Sequence, residues 1–440
     1  MSKKLKFIHT ADIHLGSILH VSKKANKTLF DMFNNAVYNS FQKLCDIAIE
    51  KQVDFMLISG DIYDREARSI RANSFFIEQC SRLGEHGIRV YAIGGNHDPI
   101  KKNSELFTLP SNVHMFSSEA VEALEYRDRQ GELLARIIGQ SYRENWDSRK
   151  MYKKYNAPKD NILNIALLHT QLDSSNNYVP CTLVDLKAVE NIHYWALGHI
   201  HKYILINETE PAIVYPGIEQ GTDFGEEGHG GAVLVEAEDN KIKAMSFMPL
   251  SQLVWSKIHI QLDKLMEQEH KNISDLENTL MIKAEELLSC SEDYNDNLKG
   301  YIVKWVVSGR SELYKLLNDK EEELNDYLIE SLNRKLLNRN KFLYTDSIEF
   351  SVGRPIEDLD ILKSENSALK ALTDFAGQSM EQEEIKKQVI RRLGGLWEVT
   401  EDLEDMNFKK LQLNDEILLS IIQQAEQLAV DAILQRSEEE

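Results

Sequence analysis

The chain has 440 residues, 51 of them Lys or Arg and 71 Asp or Glu, for a formal net charge of −20. At roughly 100–200 residues per domain that length implies two to four domains, and 42% hydrophobic with 28% charged residues excludes wholesale disorder. No apolar run approaches about 18 residues, so no transmembrane helix is expected.

Met1 to Lys6 is basic but runs directly into a strand-like segment, so no signal peptide is expected. Cys45, Cys80, Cys181 and Cys290 lie far apart and form no CxxC, which points to a reduced, cytoplasmic setting rather than a disulfide framework. The acidity is uneven. Residues 251–440 hold 23 basic and 39 acidic side chains, whereas residues 1–250 hold 28 and 32. A net negative charge counts against nucleic-acid binding, because phosphate contacts need Lys and Arg. Here that objection falls mainly on the second half.

In chain order, five apolar runs read as strands: Leu5–Ile8, Val53–Ile58, Ile88–Ile93, Ile162–Leu168 and Tyr194–Leu197. Between the first two, Leu29, Phe33, Val37, Phe41, Leu44 and Ala48 recur at helical spacing. Phe75, Phe76, Ile77, Cys80 and Leu83 form a second such stretch before the third run. Alternation of strand and helix predicts βαβ units, an α/β domain over residues 1–250 that closes through short strands between Ala212 and Met248. Past Pro249 a strand (VWSKIHIQL), a helix (Ser274–Leu288), a strand (Tyr301–Ser308), a charged helix (Glu312–Leu337) and a strand (Phe342–Ser351) predict a small α+β domain over 251–353. Residues 354–440 are acidic and helical, and no GxxxxGK[ST] occurs in the chain.

Each of the five runs ends on residues able to bind metal. Asp12 and His14 follow the first, Asp61 the second, and Asn96, His97 and Asp98 the third. The fourth ends in His169, and the fifth in His199 and His201. Ligands of α/β sheets sit beyond the carboxyl ends of strands, where loops converge. Carboxylate, amide and imidazole donors without thiolate suit hard to borderline cations such as Mn²⁺, Fe²⁺ or Zn²⁺. One Asp-x-His alone is a weak signal; five strand ends in order predict a two-metal centre.

Taken together, Asp12-x-His14, Gly60-Asp61, Gly95-Asn96-His97-Asp98, His169 and Gly198-His199-x-His201 resemble the calcineurin-like metallophosphoesterase signature. Their order and context are similar to the SbcD-type DNA repair exonucleases, and within those to the bacterial YhaO-like branch. The resemblance covers about residues 5–250. It implies a four-layer αββα sandwich followed by a cap domain and a helical C-terminal region. It also implies two divalent ions, Mn²⁺ first with Fe²⁺, Zn²⁺ or Mg²⁺ as alternatives. Asp12, His14 and His201 would hold one ion, Asn96, His169 and His199 the other, and Asp61 would bridge them. A hydroxide between the ions would attack phosphorus in line. His97 would act as general acid and Asp98 would orient its imidazole. Relatives from archaea and eukaryotes carry a second histidine three residues after the bridging Asp, where this chain has Asp64.

The implied partners are DNA, an SMC-like ATPase on a separate chain and a second copy of this chain; no membrane partner is expected. Leu418, Ile421, Ile422, Ala425, Leu428, Ala429, Ala432 and Ile433 form an apolar stripe on a C-terminal helix, which either folds back on its own domain or, as relatives dock that ATPase through a C-terminal helical segment, serves as the docking face. Weaker candidates are the Tyr215-Pro216-Gly217 turn with the following EQGTDFGE loop, and His20, Arg65 and Arg68 as phosphate contacts. The alternatives to a nuclease are a small-molecule phosphodiesterase or phosphatase on the same site, and a scaffold with a vestigial one.

Overall fold

A computed structural model describes residues 3–22, 26–64, 69–100, 108–173, 177–262, 272–289, 295–355, 364, 366–392 and 415–439. In the first sheet, β1 (Lys4–Thr10), β2 (Phe55–Ser59), β3 (Arg89–Ile93) and β4 (Val113–Met115) run parallel. Helices α1 (Lys27–Glu50) and α2 (Ile70–Glu85) connect the first three. The second sheet takes β5 (Glu122–Arg127), β6 (Leu133–Gly139), β7 (Leu163–His169), β8 (Tyr194–Gly198), β9 (Ile204–Asn207) and β10 (Ala212–Tyr215), with α3 (Leu183–Lys187) between β7 and β8. The chain then returns to the first sheet as β11 (Gly231–Glu238) and β12 (Lys241–Pro249). The orders are β12-β11-β1-β2-β3-β4 and β5-β6-β7-β8-β10-β9.

Burial explains the layering. Strand β1 buries alternate residues on opposite faces: Ile8 packs under Val37, Phe41, Phe76 and Cys80 of the two helices, and Phe7 faces Tyr194 of the second sheet. The helical periods of the sequence are therefore the helix faces against the first sheet. Asn26 caps α1 and Ser69 caps α2, each accepting from a first-turn amide. Trp195, Leu197 and Ile213 cover the far side of the second sheet with Tyr142, Tyr155 and Leu186. The fold is the expected mixed α/β sandwich, but its fourth layer is thin. A five-residue α3, a 3-10 turn (Met151–Lys154) and connecting chain replace long helices there.

Beyond residue 250, β13 (Leu253–Gln261), β14 (Gly300–Arg310) and β15 (Phe342–Gly353) form a three-stranded sheet in that order, with helices α4 (Ile273–Ser289) and α5 (Tyr314–Leu336). The helix α5 breaks at Lys320 (φ −143°, ψ 34°). The chain divides into two compact units. One holds 1–257, 283–304 and 332–347; the other holds 258–282, 305–331 and 348–440. This interleaves segments instead of cutting the chain at 250 and 353. The reason is apolar: Trp255, Ile302, Phe342 and Tyr344 bury against Leu29, Phe33 and Ala36 of α1.

In the second unit, α6 (Ser367–Glu381), α7 (Glu383–Arg392) and α8 (Asp415–Glu439) follow. Leu418 and Ile422 of α8 pack with Ala376, Val389 and Ile390. The buried line departs from the expected stripe: Val430, outside it, is buried, and Leu428, inside it, is 72% exposed. Among the described residues no helix is long and apolar enough to cross a membrane.

One buried acid makes a test of the packing. Glu219 is fully buried, its Oε1 accepting from Thr10 Oγ1 at 2.8 Å and its Oε2 without a hydrogen-bond partner. Burial pushes its pKa from 4.5 up to about 8, against the pull of the Thr10 bond. Between those values the folded protein holds a proton that the unfolded chain has released. Its stabilising contribution is complete below pH 4.5 and falls by about 1.4 kcal/mol per pH unit toward pH 8. Glu219→Gln, neutral throughout, is expected to flatten that decline in urea unfolding measured between pH 5 and 8. Parallel pH profiles for variant and wild type would sink this assignment.

Candidate metal centre

The site forms where the carboxyl ends of β1, β2, β3, β7 and β8 meet. Three of these belong to the first sheet and two to the second, so the edge predicted from sequence is shared by two sheets. The backbone there is unusual. Asp12 (φ 52°), His14 (φ 49°), Asp61 (φ 52°) and His199 (φ 100°) are non-glycine residues at positive φ. Such conformations cost on the order of 1 kcal/mol or more each and persist only where surroundings enforce them. Here the loops after β1 and β2 pair with each other: Asp12 N donates to Gly60 O (3.0 Å), His14 N to Asp61 O (3.0 Å) and Leu15 N to Ile62 O (2.8 Å).

These turns bring all seven predicted ligand residues together, in two groups. Asp12, His14 and His201 offer donor atoms within 4.8 Å of one another, as do Asp61, His169 and His199. Asn96 joins the second group, its Oδ1 at 2.9 Å from His169 Nε2 and 3.0 Å from His199 Nδ1. The carboxylate of Asp61 lies between the groups, with Oδ2 at 3.9 Å from His14 Nε2 and 3.3 Å from His169 Nε2. Asp12 accepts from His199 N (2.9 Å) and faces His201 Nε2 at 3.8 Å.

The imidazoles are oriented from behind. His169 Nδ1 donates to Ser59 O at 2.8 Å, which turns Nε2 toward the centre. His201 Nδ1 is held by Glu226, leaving Nε2 toward Asp12. The ring of Tyr178 covers His199 at 4.9 Å. Glu226 is the last residue of the EQGTDFGE loop, and it also binds Thr222 N at 2.7 Å. Sequence reading flagged the loop but not this residue, since 25 positions separate it from His201.

The third strand end corrects one expectation. Asp98 does not reach the His97 ring: its carboxylate accepts from Gly95 N (2.7 Å), Ile62 N (2.8 Å) and Tyr63 N (3.3 Å). It organises the loop instead. The partner of His97 Nδ1 is Asp64 Oδ1 at 2.9 Å, and Ser17 Oγ lies 3.3 Å from the other Asp64 oxygen. The position that departs from the relatives' second histidine is therefore the one that holds His97. Of the weaker candidates, His20 is exposed, and Arg65 and Arg68 lie outside the described residues.

Burial and charge shape the titration. Asp61 and His169 drive each other apart: burial raises the Asp61 carboxyl, but His169, His14 and His97 together hold it well below the usual range. Burial lowers His169, and Asp61 outweighs it. Burial alone dominates at His14, lowered to about 4, and Asp12, raised to about 6. The hydrogen bond to Asp64 raises His97. Two tests of fit favour cations here. The buried His14 Nε2 has no hydrogen-bond partner, and oxygen and nitrogen donors surround it without a thiolate.

This is the donor arrangement of a two-metal phosphoesterase. Residues 5–203 match the calcineurin-like phosphoesterase family, and the chain carries a calcineurin-like metallophosphoesterase domain. It is 33% identical over 279 residues to the uncharacterized metallophosphoesterase YhaO of Bacillus subtilis, covering 63% of this chain and 66% of that one, just under two thirds. It is 25% identical over 365 residues to the DNA double-strand break repair protein Mre11 of Methanococcus maripaludis, covering 74% and 87%. Against the Mre11 of Sulfurisphaera tokodaii it is 24% identical over 410 residues, covering 89% and 97%.

Gly95 offers a test of the centre. A Cβ there would stand 2.2 Å from Asp61 Oδ1 and 2.8 Å from Asp61 N, so the Asp61 carboxylate must move. Gly95→Ala is expected to weaken Mn²⁺ binding about ten- to a hundredfold by calorimetry. Gly377→Ala, where a Cβ meets nothing within 4 Å, is the matched control. Equal affinities in the two variants would refute the placement of Asp61.

Proposed function

We propose that this protein is a metal-dependent DNA nuclease, hydrolysing phosphodiester bonds at the centre formed by Asp12, His14, Asp61, Asn96, His169, His199 and His201. The observation that carries the reading is the position of Asp61 between two donor groups, with His97 held beside them by Asp64. Similarity to proteins named for double-strand break repair supports DNA as substrate, because it extends well beyond the phosphoesterase domain.

Asp12, His14 and His201 would hold one divalent ion and Asn96, His169 and His199 the other, with Asp61 placed to serve both; Mn²⁺ suits this donor set. When bound, such ions would supply Lewis acidity toward the phosphoryl oxygens and the attacking water. The chain's own residues do the rest. His97 delivers a proton to the leaving oxygen, and the Asp64 carboxylate fixes its ring through Nδ1 so that Nε2 carries the transferable proton. Asp98 holds the amides of Gly95, Ile62 and Tyr63, and so fixes the turn that presents Asn96 and His97. An SMC-like ATPase is the proposed partner, supported by the exposed apolar residues Leu419 and Leu428 of α8 and Phe375 of α6.

The net charge of −20 favours the competing reading, a phosphodiesterase acting on small molecules. One assay separates the two: labelled double- and single-stranded DNA, beside a chromogenic phosphodiester, each with Mn²⁺. The nuclease reading expects DNA cleavage that EDTA abolishes and His97→Ala lowers about 10²–10⁴-fold in kcat. Turnover of the ester alone would replace it with the small-molecule reading. The same assay sorts the two neighbouring acids. Asp64→Asn is expected to lower kcat about tenfold or more with its melting temperature kept. Asp98→Asn is expected to lower the melting temperature, because a neutral amide accepts more weakly from the backbone amides that organise the loop. The reverse pattern would return the orienting role to Asp98.

A further inference from the structure

We propose that the segment Arg143–Lys154 binds a single-stranded stretch of the DNA substrate, with the indole of Trp146 stacked on a nucleobase beside the metal centre. The proposal rests on the nuclease reading and names the surface that would position the strand.

The first observation is a misplaced aromatic. Trp195, Trp255 and Trp305 are buried, whereas Trp146 is 64% exposed. An indole left in water forgoes a large burial gain, which a partner surface would recover. The second is that its backbone is held on both sides. Asn145 Nδ2 donates to the carbonyl of Asn96 at 2.7 Å, so the residue before Trp146 bonds directly to a residue of the metal centre. Asp147, the residue after it, accepts from Arg143 N (3.2 Å) and Arg149 N (3.1 Å) and pairs with the Arg149 guanidinium. Asp147 N also donates to Asn177 O (2.8 Å), and Val179 N to Asp147 O (2.7 Å). These bonds tie the segment to the one carrying Tyr178, whose ring covers His199. A ring on so constrained a turn is preorganised and loses little entropy on binding.

Charge supplies the third observation. Residues 143–159 carry six basic side chains against two acidic ones, in a chain with twenty more acids than bases. Arg143, Lys150, Lys153 and Lys154 are exposed. An exposed aromatic among cations, adjoining a phosphodiester-cleaving centre, matches the chemistry of a base on a phosphate backbone. A base inside a duplex already stacks on its neighbours, so the ring selects an unpaired one. Arg149 is engaged by Asp147 and by Ser118 O at 2.7 Å, which assigns it to holding the turn.

Trp146→Ala and Trp146→Phe test this beside the wild type, each assayed with Mn²⁺ on a fluorescent oligothymidylate and on bis(4-nitrophenyl) phosphate. The expected result is a fall of about ten- to a hundredfold in the ratio of kcat/KM for DNA over ester in Trp146→Ala. The loss should lie mainly in KM, and Trp146→Phe should recover part of it, since a phenyl ring still stacks. Replacing Lys150, Lys153 and Lys154 by Ala should flatten the dependence of DNA affinity on log salt, by about 0.7 unit of slope for each single-strand phosphate that a lysine no longer neutralises. If the wild type cleaves DNA and Trp146→Ala keeps the wild-type ratio, the stacking proposal fails and the nuclease reading stands. Equal loss on both substrates would make Trp146 a support of the metal loop and overturn the proposal too. A wild type that cleaves only the ester overturns the nuclease reading itself.

Discussion

The whole centre depends on how closely the two sheets approach at their carboxyl ends. His169 Nδ1, at the end of β7, donates across the core to Ser59 O at the end of β2, 2.8 Å away. Ser59 Oγ reaches the Ala196 carbonyl of β8 at 2.9 Å, and His9 of β1 bonds Tyr194 Oη at 2.9 Å and Leu197 O at 3.0 Å. Polar links thus cross a seam that is otherwise packed with Phe7, Phe55, Ile165 and Tyr194. Such proximity needs glycine. A Cβ on Gly198 would lie 2.0 Å from Ser59 O, and one on Gly60 would lie 2.4 Å from His169 Nδ1. The glycines beside the ligands thus act by sterics: they let two sheets deliver donors to a common point.

That closure has an electrostatic consequence. Asp12 and Asp61 are both buried, and an isolated buried carboxylate is costly enough to protonate rather than remain charged. Asp61 stays ionised because His169 and His14 surround it. Asp12, with more burial than compensation, rises to about 6. The histidines divide in the same way. His201, backed by Glu226 and facing Asp12, is raised to about 9, whereas burial and the nearby His169 lower His199 to about 3. A divalent cation would supply the positive charge that such a cluster otherwise draws from protons, so its binding would release protons and strengthen as pH rises. The positive-φ turns at Asp12, His14, Asp61 and His199 belong to the same closure: backbone strain is held where the two sheets bring these side chains together.

How much of this was legible in the sequence differs by distance along the chain. The strands, α1 and the gathering of Asp12, His14, Asp61, Asn96, His169, His199 and His201 at strand ends are readable, because apolar period and strand-end position are local signals. The partner of His97 is not. Asp98 is its neighbour in sequence, but adjacent residues in a tight loop point apart, and Asp98 turns inward to three backbone amides. Asp64 reaches the imidazole from another strand end, a relation that only the pairing of loops after β1, β2 and β3 creates. Glu226 is further still, and nothing in its own segment distinguishes it from the other acids there. The interleaved units escaped for a related reason. A boundary read from composition assumes that a domain is continuous in chain, whereas Trp255, Ile302 and Phe342 choose their unit by which apolar surface they cover.

The overall charge of −20 is a poor guide to what approaches the centre, because the field at a site is set within about a Debye length, near 8–10 Å at physiological salt. Most of the acid excess lies after residue 250. Within the phosphoesterase unit, Asp61 faces His169 and Asp12 faces His201. Along Arg143–Lys159 the bases outnumber the acids threefold, and that segment is pinned to Asn96 through Asn145. A phosphate chain of the kind proposed as substrate would therefore meet a local cationic segment joined to the donors. Charge averaged over a chain measures solubility and long-range repulsion. Charge held rigidly beside the reacting centre decides which substrate can align there.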